Sequence, residues 1–282
     1  MRAGSEYMSG LSINHYVAPA DYPLERFLDD CAAAGATGVG LTERSLGELP
    51  LASIRDMLAA RKLRVTSVNS AGFFLWGDAG KAQQQREINA FLVEASHALE
   101  ASALTTIGGG FTDGGKGHKR SIRELRQQID DALPDLIAAA TAKGVKLGVE
   151  PMHPSRITNK SLLNTLAQTE RQLSNFPALT VILDAFHTWW EPDLPAFIEK
   201  HVSRLSCVQL SGVVLSDDPA MAPSRCAMRE GVVDLKDLMT MLRSSGYRGP
   251  FEFELFAHEL GGNSVSDVIR QAVDDFNDLT NG

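Results

Sequence analysis

Short apolar runs alternate with longer stretches of helical period from Leu11 to the end of the chain. The first run, residues 11–17, is followed by Leu24, Phe27, Leu28 and Cys31, spaced for one helical face that stops at Gly35. Residues 38–41, 64–69 and 104–107 read as further strands. Between and after them, helical spacing covers 51–61, the positions of Ile88, Leu92, Val93 and Ala95, and 122–143, which closes at Gly144. The second half continues with strands at 146–151, 180–185, 205–211 and 251–256, and helices at about 161–173, 194–202, 235–243 and 265–279.

Eight strand–helix units with right-handed crossovers predict an α/β fold, a (β/α)8 TIM barrel, as a single domain over 1–282. A doubly wound sheet competes, but it calls for a GxGxxG turn after the first strand, and none stands there. No Pro-, Gly- or Ser-rich linker divides the halves.

Composition narrows the function classes. With 44% hydrophobic and 22% charged residues, the chain has the makings of a sizeable core. Acidic residues outnumber basic ones 35 to 27, a net charge of −8, with no basic block to neutralise a run of phosphates, so no nucleic-acid partner is expected. Cys31, Cys207 and Cys226 form neither a CxxC pair nor a disulfide framework. Without a signal-like or membrane-length apolar run, the expectation is a cytoplasmic protein with no membrane contact.

In a TIM barrel, chemistry belongs at the C-terminal ends of the strands. Glu150, Asp184, Gln209 and Glu254 sit there on four consecutive strands, on positions of inward parity. Adjacent strands lie about 4.8 Å apart, so their ends can aim at a common point, where three carboxylates repel unless a cation lies between them. An oxygen-rich set of Glu, Asp, Gln and Glu suits Mn2+ or Mg2+, with Zn2+ or Co2+ behind them. Taken singly, an acidic strand end is more often a helix cap or a salt-bridge partner. Glu252, two residues deeper than Glu254, illustrates that reading, with Lys146 or an Arg as its expected partner.

His187 follows Asp184 by three residues and is expected to contact substrate; His153, after Glu150, is the candidate for proton transfer. Trp189 is expected to floor a sugar-sized pocket by stacking. Segment 212–231 is too long for a plain turn and suits a lid whose Arg225 and Arg229 meet substrate oxygens. Asn14, His15 and Asn69 end the first and third strands, and Gly108, Gly109 and Gly110 read as backbone room at the barrel mouth rather than a phosphate loop.

Four stretches, LGVEPMHP at 147–154, ILDAFHTWWEP at 182–192, CVQLS at 207–211 and GYRGPFEFELF at 246–256, together resemble the xylose isomerase-like TIM barrels of the sugar phosphate isomerase/epimerase superfamily. That resemblance implies a metal held by Glu150, Asp184, Gln209 and Glu254, with substrate contact from His187. Gln209 stands where ketose epimerases of the family usually have His, which looks more like the family's dehydratases. The implied activity is metal-dependent isomerisation or epimerisation of a sugar or sugar-like ketone (ketose, inosose or oxo-sugar) through an enediolate. Glu150 and Glu254 trade the proton, and Arg229 helps hold the substrate. A lyase using the same enolisation, a dehydratase or an enzyme cleaving an oxidised glycoside, is the alternative; a non-catalytic sugar-binding barrel is the second. The partners expected are a small sugar or sugar-like molecule, with a homo-oligomer of the chain left open as an assembly.

Overall fold

The computed structural model describes residues 10–111 and 120–281. The barrel strands are β1 (Leu11–Asn14), β2 (Gly38–Thr42), β3 (Arg64–Gly72), β4 (Ala103–Ile107), β5 (Leu147–Val149), β6 (Thr180–Asp184), β7 (Leu205–Leu210) and β10 (Phe251–Phe253). These eight parallel strands close in the order β1, β10, β7, β6, β5, β4, β3, β2. An antiparallel hairpin, β8 (Gly212–Val214) with β9 (Ser224–Cys226), is inserted after β7.

The helices are α1 (Leu24–Ala34), α2 (Glu43–Leu46), α3 (Leu51–Ala60), α4 (Ala79–Ala98), α5 (Ile122–Ala142), α6 (Leu166–Asn175), α7 (Ala185–Thr188), α8 (Leu194–His201), α9 (Leu235–Ser244) and α10 (Val265–Asn281). Each long one lays an apolar stripe on the barrel. In α1 the stripe is Leu24, Phe27, Leu28 and Cys31, all fully buried, and Gly35 ends the helix at φ 83°. A Leu or Phe buried this way stabilises the fold by roughly 1.5–3 kcal/mol relative to exposure. The ring closes where α1 packs on α10, which buries Val265, Ile269 and Phe276. Among the described residues no helix is long and apolar enough to cross a membrane.

Strand ends differ from the pattern-based expectation in ways that matter for the site. The first strand stops at Asn14 rather than residue 17, because the Asn14 side chain accepts the Tyr16 N–H at 3.1 Å and starts a 3-10 turn. Glu150 and Glu254 lie just beyond β5 and β10, yet each still donates its N–H to the neighbouring strand, Glu150 to the Thr106 carbonyl (3.2 Å) and Glu254 to that of Leu210 (3.1 Å). Both side chains are therefore fixed to the barrel rim. The sixth helix begins at Leu166 instead of 161, capped by Thr165 and Gln168, leaving residues 154–165 as a rim segment over the mouth.

Candidate active site

The barrel interior beneath the mouth is polar. Gln209 on β7 is in register with Asp184 on β6 and with Glu252 on β10, and all three are fully buried. Among the described residues Glu252 has no cation partner: it accepts hydrogen bonds from Asn14 (2.8 Å), Thr66 (2.6 Å), Ser67 (2.8 and 2.9 Å) and Gln209 (3.0 Å). The expected ion pair with Lys146 is not formed, since Lys146 is exposed on the barrel's outside while hydroxyl and amide donors surround Glu252. Gly40 makes room for that carboxylate, because a Cβ there would lie 2.6 Å from Glu252 Oε2.

One level higher, Glu150, Asp184 and Glu254 converge with Arg225. The Arg225 guanidinium, fully withdrawn from solvent, donates to both oxygens of Asp184 (Nη1–Oδ1 3.2 Å, Nη2–Oδ2 2.5 Å) and to Glu254 Oε1 at 2.9 Å. It lies 4.5 Å from the Phe186 ring centroid and 5.6 Å from that of Phe256. The hairpin delivers it: Arg225 pairs with the buried Val213 across the β8–β9 register, and its N–H donates to Glu259 Oε1 at 3.0 Å.

These partners set the ionisation. Burial works against the charged Asp184 carboxylate, but Arg225, then His187, and hydrogen bonds from Arg225 and the Phe186 N–H hold it below the usual range. Burial pushes Glu254 up to about 8, Arg225 opposing and the charges of Asp184 and Glu252 adding to the rise. Glu150 is raised well above its ordinary value by burial, then by Glu254 and Asp184. Its carboxyl faces the cavity and has no hydrogen-bond partner among the described residues.

One turn of α7 puts His187 above Asp184. Its Nε2 lies 3.8 Å from Asp184 Oδ2 and 3.9 Å from Glu150 Oε1, and burial brings its pKa down to about 3, so the ring is neutral. Nδ1 accepts the backbone N–H of His153 at 3.1 Å. The proton of the neutral ring must then sit on Nε2, facing the cavity, which makes His187 a hydrogen-bond donor to a ligand rather than a metal ligand.

The donor set suits a divalent cation. Ligand atoms of Glu150, Asp184 and His187 lie within 4.8 Å of one another. With His187 set aside by its tautomer, oxygen donors remain. The Gln209 amide gives its Nε2 to Glu254 (2.7 Å) and Glu252 (3.0 Å), leaving Oε1 buried with no partner among the described residues. An orphaned acceptor beside carboxyls of raised pKa is what an oxygen-seeking ion would satisfy. Arg225 alone offsets only part of the acidic charge, and an ion using Asp184 or Glu254 must share them with it.

Other expected residues lie elsewhere. The His153 ring turns away from the cavity, caps the 3-10 turn Pro154–Arg156, and pairs with Ser155 Oγ at 2.8 Å; its contribution to the site is the backbone N–H that orients His187. Trp189 is the C-terminal cap of the α7 turn and is not among the residues that line the cavity, where Tyr16, Phe186 and Phe256 supply the aromatic wall instead. Arg229 lies past the hairpin, exposed and paired with Asp278 at 2.5 Å, so of the two lid arginines only Arg225 enters. Arg156 and Lys160, on the rim segment, line the cavity without having stood out in the sequence, where they read as ordinary loop charges. Asn14 donates to Glu252 and Glu254, Asn69 lines the cavity, and His15 is buried beneath, its pKa brought down to about 3 by burial and Arg44.

Over residues 28–277 the chain matches the family described as xylose isomerase-like TIM barrel. It is 28% identical over 140 residues to a 3-dehydroshikimate dehydratase of Pseudomonas putida, an alignment covering 46% of this chain and only 21% of that much longer protein. Among solved structures, protein SMc04130 from Sinorhizobium meliloti 1021 superposes with a TM-score of 0.86 at 24% identity, over 96% of this chain and 98% of the other. The IolI protein with a zinc atom gives 0.80 at 17% identity over 96% and 98% of the two chains. Apo 3-keto-D-glucoside 4-epimerase from E. coli gives 0.74 at 16% identity over 95% and 99%. These structural likenesses establish the fold, and the match over most of the sequence establishes the lineage: this chain belongs to the xylose isomerase-like TIM barrel family.

Proposed function

We propose that this protein is a divalent-metal-dependent isomerase or epimerase of a small sugar-like ketone, moving a proton on the carbon beside the carbonyl. The observation that carries the reading is Glu150: a buried carboxyl of raised pKa that faces the cavity with no hydrogen-bond partner, as a general base requires. A divalent ion held by Glu150, Asp184, Gln209 and Glu254 would supply a Lewis acid for a carbonyl and its neighbouring hydroxyl, acidifying the C–H between them. The oxygen-only donors favour Mn2+ or Mg2+, while the IolI protein of the same fold holds zinc. Glu150 takes the proton, His187 Nε2–H holds a substrate hydroxyl, and Arg225 balances charge beneath. Phe186 and Phe256 keep water from the reacting carbon.

A specific observation supports elimination as the second reading. Glu254 Oε1 is held by Arg225 and Oε2 by Gln209 and Asn14, so the second base that epimerisation across two faces needs is tied down, whereas the Glu150 carboxyl has no hydrogen-bond partner among the described residues. A single base suffices for a 1,2-shift or for loss of water from the adjacent carbon. The dehydratase relative accords with the latter.

Anaerobic incubation in D2O with Mn2+ and a panel of ketoses, inososes and oxo-sugars tests the proposal. Solvent deuterium should enter the carbon beside the carbonyl, and Glu150→Gln should abolish the exchange. A product that differs from the substrate only by the deuterium taken up identifies isomerisation, and loss of water identifies the lyase. No exchange with any ketone, with or without metal, would refute the reading.

A further inference from the structure

The cavity is charged oppositely at its two ends. Its floor holds Glu150, Asp184 and Glu254 around Arg225; its rim presents Arg156 and Lys160, both half-buried. Among the described residues neither rim cation has a carboxylate within ion-pair distance. Each rests near an aromatic face instead, Arg156 Cζ 5.8 Å from the Phe186 ring centroid and Lys160 Nζ 6.0 Å from that of Phe73. Structural cations on a protein surface usually find a carboxylate or reach into water. The Lys160 charge is felt by Glu150 and Glu254 below, but two cations that line a cavity over apolar rings, with no carboxylate in ion-pair contact, are placed to receive a negative charge from a ligand.

The backbone fixes them there. Arg156 ends the 3-10 turn Pro154–Arg156, and its N–H donates to the His153 carbonyl at 2.8 Å. The Lys160 carbonyl accepts the Gly109 N–H at 3.1 Å, and the Leu162 N–H returns to the Gly109 carbonyl at 3.1 Å. Gly110 permits this close approach: a Cβ there would lie 2.7 Å from the backbone nitrogens of Asn159 and Lys160. The glycine run after β4 is thus the seat of the segment carrying both cations.

The cavity holds about 260 Å3, below the roughly 300–1,000 Å3 usual for drug-sized ligands. One small ring with short substituents fills it. We infer that the substrate is anionic, a ring or short-chain ketone whose carboxylate is held at the rim by Arg156 and Lys160 while its oxygenated carbons face Glu150 and His187. The inference rests on the proposed enolising site for the substrate's orientation, but its anion-binding part stands on the rim alone. A phosphate would use the same two cations, and the limited volume favours the carboxylate.

Binding rather than turnover tests it. The probes are 3,4-dihydroxybenzoate, with vicinal ring oxygens opposite a carboxylate, and its neutral amide; fructose 6-phosphate and fructose form a second pair. Calorimetry with Mn2+ present should show the acid binding about tenfold or more tighter than the amide, a preference weakened by salt. In the Arg156→Gln, Lys160→Gln double variant the ratio should fall to about one, while affinity for the amide and the thermal midpoint stay unchanged. A preference of that kind seen only for the sugar phosphate keeps the anion site and makes the anion a phosphate. Equal binding of charged and neutral probes, a preference that survives the double substitution, or no binding of any probe at millimolar concentration would overturn the inference. A Arg156- and Lys160-dependent preference in a protein that exchanges no deuterium with any ketone would leave the anion site standing and remove the proposed reaction instead.

Discussion

Arg225 grips Asp184 through both terminal guanidinium nitrogens, at 3.2 and 2.5 Å, in the floor of the barrel mouth where neither side chain meets solvent. The pair joins the end of β6 to a hairpin strand 41 residues away, and the same guanidinium reaches Glu254. The chain thus carries a cation of its own among the acidic strand ends, placed by the hairpin inserted after β7.

Removing that cation leaves buried carboxylates uncompensated. Arg225→Gln should lower the stability of metal-free protein by about 3–5 kcal/mol, the usual consequence of breaking a buried pair from one side. Added Mn2+ should raise the thermal midpoint of this variant more than that of the parent. An unchanged midpoint without metal would show that Asp184 and Glu254 do not depend on Arg225.

Glu254→Gln keeps the shape of the side chain and removes one of the converging charges. The variant should stay folded and lose bound metal and activity together, as read by elemental analysis and deuterium exchange. Full exchange activity in this variant would eliminate Glu254 from the ligand set.

His187→Ala separates substrate contact from metal binding. With Nδ1 accepting the His153 N–H, Nε2 is a donor, so the variant should retain stoichiometric metal while turnover falls about tenfold, in line with one lost hydrogen bond. Loss of metal would mean that the ring binds in the opposite tautomer.

The carboxyls give stability a pH dependence of definite sign. Glu254, raised to about 8, and Glu150, raised in the same direction, hold protons in the folded state that the unfolded chain releases, so metal-free stability falls as pH rises through the interval. His15 and His187, each lowered to about 3, act oppositely, costing stability as pH falls below about 6.5. Between pH 6.5 and about 8 only the carboxyls contribute, and the midpoint of metal-free protein should drop across that window. Saturating Mn2+ should flatten the profile. Scanning fluorimetry at half-unit steps checks it, and a rising midpoint would contradict the assignment.

Gly110→Ala forces a Cβ to within 2.7 Å of the backbone that carries Lys160. Overpacking of this kind costs about 1–3 kcal/mol, and here it should also shift the rim segment. The expected readout is a lower thermal midpoint together with a reduced preference for 3,4-dihydroxybenzoate over its amide. A loss of stability with the preference intact would show that Lys160 does not depend on this seat.

The alternation of period-2 and period-3.6 hydrophobic patterns was enough to specify eight strand–helix units and a closed barrel, because each amphipathic stripe can bury itself only against its neighbours. It also placed Glu150, Asp184, Gln209 and Glu254 at adjacent strand ends, since inward parity follows from spacing along a strand. The pattern did not separate Arg225 from Arg229. Both lie in a polar stretch with no apolar rhythm, and the β8–β9 register alone turns the first inward, while the second meets Asp278 on α10. Trp189 and the His153 ring likewise left the site through the local turn geometry of α7 and of the Pro154–Arg156 turn.

Composition and periodicity therefore determined the scaffold and the acidic strand ends, both being consequences of local spacing. Which cations line the cavity beside those acids was decided in three dimensions. Arg225 enters from the hairpin, and Arg156 and Lys160 stand on a rim segment seated against the glycines after β4. Charge pairing depends on side chains brought together from distant parts of the chain, and no period along the sequence encodes that meeting.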